Sequence, residues 1–156
     1  MKVFILHIFL FFASVSFSQC DSVPPLNQGI VDFVNTKMNK KVGRGECWDL
    51  AKYALDEVEA KWDQSYVYGR LLSKDECIYP GDIIQFEKVK IKYKEGNKTF
   101  TEAMPHHTAI IYETINQDEV ILAHQNTGYS GKKVGTSKLK FSTIISGKYY
   151  IYRPEK

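Results

Sequence analysis

Gly43-Arg44-Gly45-Glu46-Cys47-Trp48-Asp49-Leu50-Ala51 is the stretch that decides how this chain is read. A glycine-rich approach ends at Cys47, and a helical pattern begins there. A thiol at a helix N-terminus feels the positive end of the helix dipole, which favours the thiolate. Two later segments carry its partners: Pro105-His106-His107-Thr108-Ala109-Ile110-Ile111-Tyr112 and Ile121-Leu122-Ala123-His124-Gln125-Asn126. A thiolate, an imidazole and a polar group that orients the imidazole are the parts of a cysteine hydrolase.

The flanking patterns predict an α+β domain with N-terminal helices packed on an antiparallel sheet. Ile30, Phe33, Val34 and Met38 have helical spacing, with Asn27 as the expected cap and Gly43 as the stop. Trp48, Ala51, Leu55, Val58 and Trp62 form the apolar stripe of a second helix, expected over residues 46–62. Trp62 belongs to the core, whereas Trp48 is placed to wall the site. Tyr79-Pro80-Gly81-Asp82 is a turn. It leads into apolar Ile83–Phe86 and then the alternating Lys88–Lys94, whose lysine row reads as a solvated face. After the turn at Glu95-Gly96-Asn97-Lys98, strands are expected over 107–114 and 119–126, and a final aromatic strand over 148–154. The loop Thr127–Gly135 lies between them. Helices first and an antiparallel meander second is the expected order.

Strand alternation constrains the site. His106 and His107 must point to opposite faces, so one of them faces the thiol. His107 shares a face with Ala109 and Ile111. His124 and Asn126 are expected on one face, with Gln125 on the other. His107 is then the base, and His124 or Asn126 the orienter. Zinc is the rival use of one cysteine and several histidines. It is disfavoured because the adjacent histidines diverge and no second cysteine lies at a short ligand spacing. No metal or organic cofactor is expected. Asp49, beside the helix start, complements the dipole.

The N-terminus reads as a secretory signal over residues 1–19. Lys2 is followed by the almost wholly apolar Val3–Phe12, too short for a membrane span of ~20 residues. Residues 20–26 are a linker and 27–156 the domain. Export into an oxidising compartment makes the three cysteines informative. Cys47 is expected to be free. Cys20 and Cys77 can pair, a point the sequence leaves open. Lipidation of Cys20 is the minority alternative, because Gln19 fits such processing poorly. The net charge of +3 is spread along 156 residues, too weak for nucleic-acid binding. A secreted or cell-envelope monomer without a stable membrane span is expected.

The ordered set of motifs resembles the CHAP domains of the NlpC/P60 group of papain-like cysteine peptidases and amidases. The residues that carry the resemblance are Gly45–Ala51, Pro80–Phe86, His107–Tyr112, His124–Asn126 and the closing Tyr150-Ile151-Tyr152-Arg153-Pro154. The resemblance implies a minimal papain-like fold and cleavage of amide bonds in peptidoglycan, as an N-acetylmuramoyl-L-alanine amidase or a peptide endopeptidase. It makes Cys47 the nucleophile and His107 the base. His124 stands where CHAP domains usually have Glu, and Asn126 matches their Asn; a histidine orienter occurs in NlpC/P60 relatives. Other readings are a thiol hydrolase or acyltransferase on a different substrate, such as a toxin or effector, and a non-catalytic binding module on the same scaffold.

Overall fold

The computed structural model describes Cys20 and residues 22–156; the expected signal segment 1–19 lies outside the described residues. Helix α1 runs Pro25–Lys37 and α2 runs Cys47–Glu57. Strands follow as β1 Arg70–Leu71, β2 Ile83–Glu95, β3 Lys98–Thr114, β4 Glu119–His124, β5 Gly135–Lys140 and β6 Ile144–Arg153.

Both helices differ from expectation at their ends. α1 begins at Pro25, whose fixed φ suits the first helical position. Asn27 is therefore inside the first turn, fully buried, and is not the cap. The helix ends at Lys37, before Gly43, and Asn39 turns left-handed at φ 61°. α2 ends at Glu57 rather than residue 62, and Glu59 takes φ 53° beyond it. Trp62 still reaches the core from the following loop. Its ring lies 5.6 Å from Trp48 and stacks on Tyr68 at 5.9 Å.

The sheet order is β1-β6-β2-β3-β4-β5, with antiparallel pairing throughout. It is not a simple meander, because β6 returns past three strands to pair with β2. The apolar 83–86 and the alternating 88–94 lie on one strand, β2. β3 also starts nine residues earlier than its periodicity indicated, and β5 was not anticipated. β3 pairs with β2 through twelve registered positions, so pairing extends both strands beyond their apolar stretches.

Each sheet face buries its own cluster. Ile83, Ile110, Ala123 and Tyr152 meet the helices through Ile30, Leu50 and Leu55. Ile84, Phe86, Ala109, Ile111, Leu122 and Leu139 form the opposite core. A bulge interrupts the β2–β6 pairing between Glu87 and Ile91 and shifts the side-chain alternation there. Lys88 has φ 54° there, and Gly147 has φ 91° with no room for a Cβ against the Lys88 carbonyl. Phe86 and Val89 consequently face the same core although three residues apart. On β3 their partners His107 and Met104 do likewise.

Asp82 of the Pro80-Gly81-Asp82 turn ties the layers together. Its side chain is fully buried and accepts bonds from Asn27 Nδ2 (2.8 Å), the Tyr79 N–H (2.9 Å), and Arg153 Nε and Nη2 (2.9 and 2.8 Å). α1, the turn and β6 thus meet on one carboxylate. Gly81, at φ 88°, lets the backbone of Asn27 approach so closely that a Cβ would overlap its carbonyl. A disulfide joins Cys20 to Cys77, and the carbonyl of Cys77 accepts a bond from Arg153 Nη2 at 2.6 Å. Asp82→Ala leaves Arg153 partly buried without its counter-charge. It should lower unfolding stability by about 3–5 kcal/mol, read from denaturant midpoints.

Candidate functional site

The start of α2 is built before any histidine reaches it. The loop Val42–Glu46 needs left-handed backbone at Gly43 and Gly45, φ 56° and 88°. Asp49, 2% exposed, closes it by accepting bonds from the Arg44 N–H (2.7 Å), the Arg44 guanidinium (2.9 Å) and the Glu46 N–H (3.2 Å). Burial opposes its charge, but these donors hold the carboxyl below the usual carboxylate range. Asp49 is a cap partner of the loop as well as a complement to the dipole. Cys47 opens the helix, half-buried and free of disulfide. The first N–H groups of a helix have no intrahelical partner and point outward.

Gln125 fixes that helix start against the sheet. Its side chain is wholly buried. Oε1 accepts the Val42 N–H at 3.1 Å, and Nε2 donates to the carbonyls of Val42 (2.9 Å) and Glu46 (2.8 Å). It acts as a one-residue strand partner for the loop. Gln125 is adjacent to His124, so the loop before Cys47 is registered to the end of β4. Its position after His124 was the only signal in the sequence.

The two histidine strands meet as the alternation requires. His107 Nε2 lies 2.8 Å from His124 Nδ1. His124 Nε2 lies 2.9 Å from Ser137 Oγ and also meets the Tyr129 hydroxyl. The imidazoles, Ser137 and Tyr129 form one hydrogen-bonded chain, with His107 Nδ1 at its free end. Ser137 and Tyr129 were missed in the sequence, because β5 and the fold of its preceding loop were not legible. Burial pushes the His107 imidazolium down to about 4, with His106 adding to the shift. Burial and the neighbouring His107 push His124 down to about 3. Both rings are neutral at pH 7.

Asn126 departs from expectation. β4 ends at His124, and Asn126 is left-handed at φ 62°, so it does not continue the strand alternation. Its Nδ2 donates to Glu46 Oε2 at 2.7 Å, and Lys132 Nζ binds the other oxygen at 2.9 Å. It clamps the helix start through Glu46, and it lines the same cavity as Cys47 and His107. His106 projects to the helix side, 3.3 Å from Gln85 Nε2 and edge-on to Tyr66 at 4.5 Å.

Cys47, His107 and His124 line one cavity of about 1000 Å³, together with Met104, Leu122 and Tyr129. No hydrogen bond joins Cys47 to either imidazole among the described residues. Nor do three His, Cys, Asp or Glu side chains converge there as a metal site.

The model of the AIM3/BBC1 cysteine proteinase-fold domain matches residues 26–156. The chain belongs to that family, which carries a papain-like fold. The expected kinship with CHAP domains is thus shown at the coarser level of the cysteine proteinase fold. A relative is the "Altered inheritance of mitochondria protein 3" of Debaryomyces hansenii, 29% identical over 80% of this chain. The match spans 15% of that protein's length. Two solved structures are similar. "The crystal structure of Ly7917" has a TM-score of 0.47 and 16% identity, covering 81% of this chain and 62% of that one. "The crystal structure of Ly7917 with the hydrolyzing product of MDP" has a TM-score of 0.49 and 17% identity, covering 82% and 62%. Likeness at that level carries no functional weight.

The buried histidines make stability depend on pH. In the unfolded chain both titrate near 6.5, whereas in the fold they resist protonation down to about 4 and about 3. Below pH ~6.5 the unfolded state therefore binds more protons. The contribution is complete above pH ~6.5 and falls as pH drops toward 4. Denaturant midpoints should decline between pH 7 and pH 4, and His107→Gln with His124→Gln should flatten that decline.

Proposed function

We propose that this family member is a thiol hydrolase that cleaves amide bonds through Cys47, with His107 as the base and His124 as the residue that orients it. The observation that carries the reading is the hydrogen-bonded chain on His107 Nε2, with Cys47, His107 and His124 lining one cavity and no hydrogen bond to His107 Nδ1 among the described residues.

The tautomers follow from the chain. When His124 donates its Nε2–H to Ser137 or Tyr129, its Nδ1 accepts the Nε2–H of His107. His107 Nδ1 then holds a lone pair. Because His107 is buried and neutral at pH 7, it takes the Cys47 proton as sulfur adds to the carbonyl, rather than storing a resting imidazolium. The apo separation of thiol and imidazole is compatible with this, since catalytic hydrogen bonds often tighten only with substrate bound. The oxyanion forms beside the N-terminus of α2, where the Cys47 N–H donates; such donors contribute about 2.7–4 kcal/mol. The intermediate collapses as His107 returns the proton to the leaving amine. Water, deprotonated by His107, then hydrolyses the thioester and regenerates the thiol.

Peptidoglycan is the substrate that the order of the motifs supports, through their resemblance to CHAP domains. The apolar N-terminal segment and the Cys20–Cys77 disulfide support action outside the cytoplasm, where such bonds persist. The absence of a thiol–imidazole bond favours one competing reading, a binding module that keeps the scaffold without turnover.

Digestion of purified peptidoglycan and of an unstructured polypeptide, with products read by mass spectrometry, tests the proposal. Cys47→Ala should abolish all new fragments while circular dichroism stays unchanged. Equal activity in that variant, or no fragments together with a Cys47 unreactive to a thiol probe, overturns it. The acid limb of kcat/KM should fall nearer pH 4 than pH 6.5, and His124→Ala should move it upward while lowering kcat.

A further inference from the structure

The catalytic cavity does not end at the histidines. It continues along β2 and β3 past Met104 to Ile91, Glu102 and Tyr93. The bulge at Lys88 shifts the strand alternation there. Glu102 pairs with Ile91, Met104 with Val89 and His107 with Phe86, and all three β2 partners face the second core. Glu102 therefore shares the face of His107. Five residues separate them, about 16 Å along an extended strand.

Charges of both signs line this arm: Lys94, Lys138 and Lys140 with Glu95 and Glu102. Lys138 and Lys140, which also line the cavity, are both turned to Glu119, at 2.6 and 3.0 Å. Glu102 has no cationic partner among the described residues. Its carboxylate accepts a 2.6 Å bond from the Tyr93 hydroxyl, which the bond pushes up to about 12. The Tyr93 ring is in turn stacked on Phe100 at 5.4 Å, directly across the hairpin. A held carboxylate beside exposed aromatic surface is the chemistry that recognises an ammonium or guanidinium group. Between it and the histidines, Met104, Ile91, Leu122 and Leu139 provide an apolar floor. The field of Glu102 also reaches the hydroxyl of Tyr129, which burial and then this carboxylate push up.

We infer that Glu102, held by Tyr93, is a substrate subsite for a cationic residue, so that the amide substrate is a peptide with a lysine- or arginine-like group about four to five residues from the bond cut. Apolar residues occupy the floor between. The inference rests on the thiol-hydrolase reading and names its substrate class. A linear peptide and the diamino residue of a peptidoglycan stem share this chemistry.

The probes are capped leucine–alanine peptides in which one lysine, norleucine or glutamate is moved through each position, beside a lysine-containing peptidoglycan digest. With the wild-type chain, lysine at one position should raise kcat/KM about fivefold over norleucine, the range of a partly exposed ion pair. Glu102→Gln should bring the lysine peptide down to the norleucine rate, and Glu102→Lys should reverse the order toward glutamate. Preference in the peptides but not the digest, or the reverse, identifies the source. The same peptides are titrated against Cys47→Ala by fluorescence anisotropy. Lysine-selective binding that vanishes with Glu102→Gln, without cleavage in the wild type, sustains the subsite and sinks the hydrolase reading. No lysine preference in cleavage or binding, or one that survives Glu102→Gln, overturns the subsite.

Discussion

The site depends on one buried amide. Gln125 completes a strand-like pairing with Val42 and adds a bond to the Glu46 carbonyl. These groups belong to a loop that no sheet partner satisfies, and buried backbone groups must find partners. The side chain that supplies them sits next to His124. The same three bonds therefore satisfy the loop and set the start of α2 relative to the histidine strands. Asn126 and Lys132 reinforce the junction through Glu46, but from the exposed side, where such contacts contribute less.

A second constraint acts on the sheet. Its middle is buried on both faces, so each face needs a cover. The helices cover one. The other carries its own apolar cluster, and the cavity that the histidine pair lines lies on the same side, sharing Leu122, Leu139 and Met104 with it. Asp82 holds the arrangement from behind by joining α1, the preceding turn and β6 on one carboxylate. The Pro-Gly-Asp turn is thus structural, even though it lies among the motifs that suggested the chemistry.

Burial gives the imidazoles a particular character. They are neutral because the cavity wall removes water, and they are aligned because each nitrogen of His124 has a partner. A neutral, aligned His107 suits proton transfer in step with bond formation better than a stored ion pair. The same desolvation weakens the fold in acid. The same buried pair therefore sets both the neutrality of the imidazoles at pH 7 and the loss of stability in acid.

By itself the sequence determined the α+β class, the helix start at Cys47, the divergence of His106 from His107 and the freedom of Cys47 from the disulfide. These follow from local rules: helical spacing, glycine before a cap, and the two-residue period of strands. It marked His124 and Asn126 as alternatives, and they were inseparable because both fit an extended strand. Tertiary structure gives them different contacts, since His124 meets His107 whereas Asn126, beyond the end of β4, turns left-handed toward Glu46. It also decided what no local pattern encodes: the return of β6 to β2, the existence of β5, the roles of Gln125, Ser137 and Tyr129, and the placing of Glu102 on the face of His107. Each depends on contacts between residues distant in sequence, or on a bulge that shifts alternation by one. A one-residue shift reverses every side chain beyond it, so the faces of a strand are fixed only once its partners are.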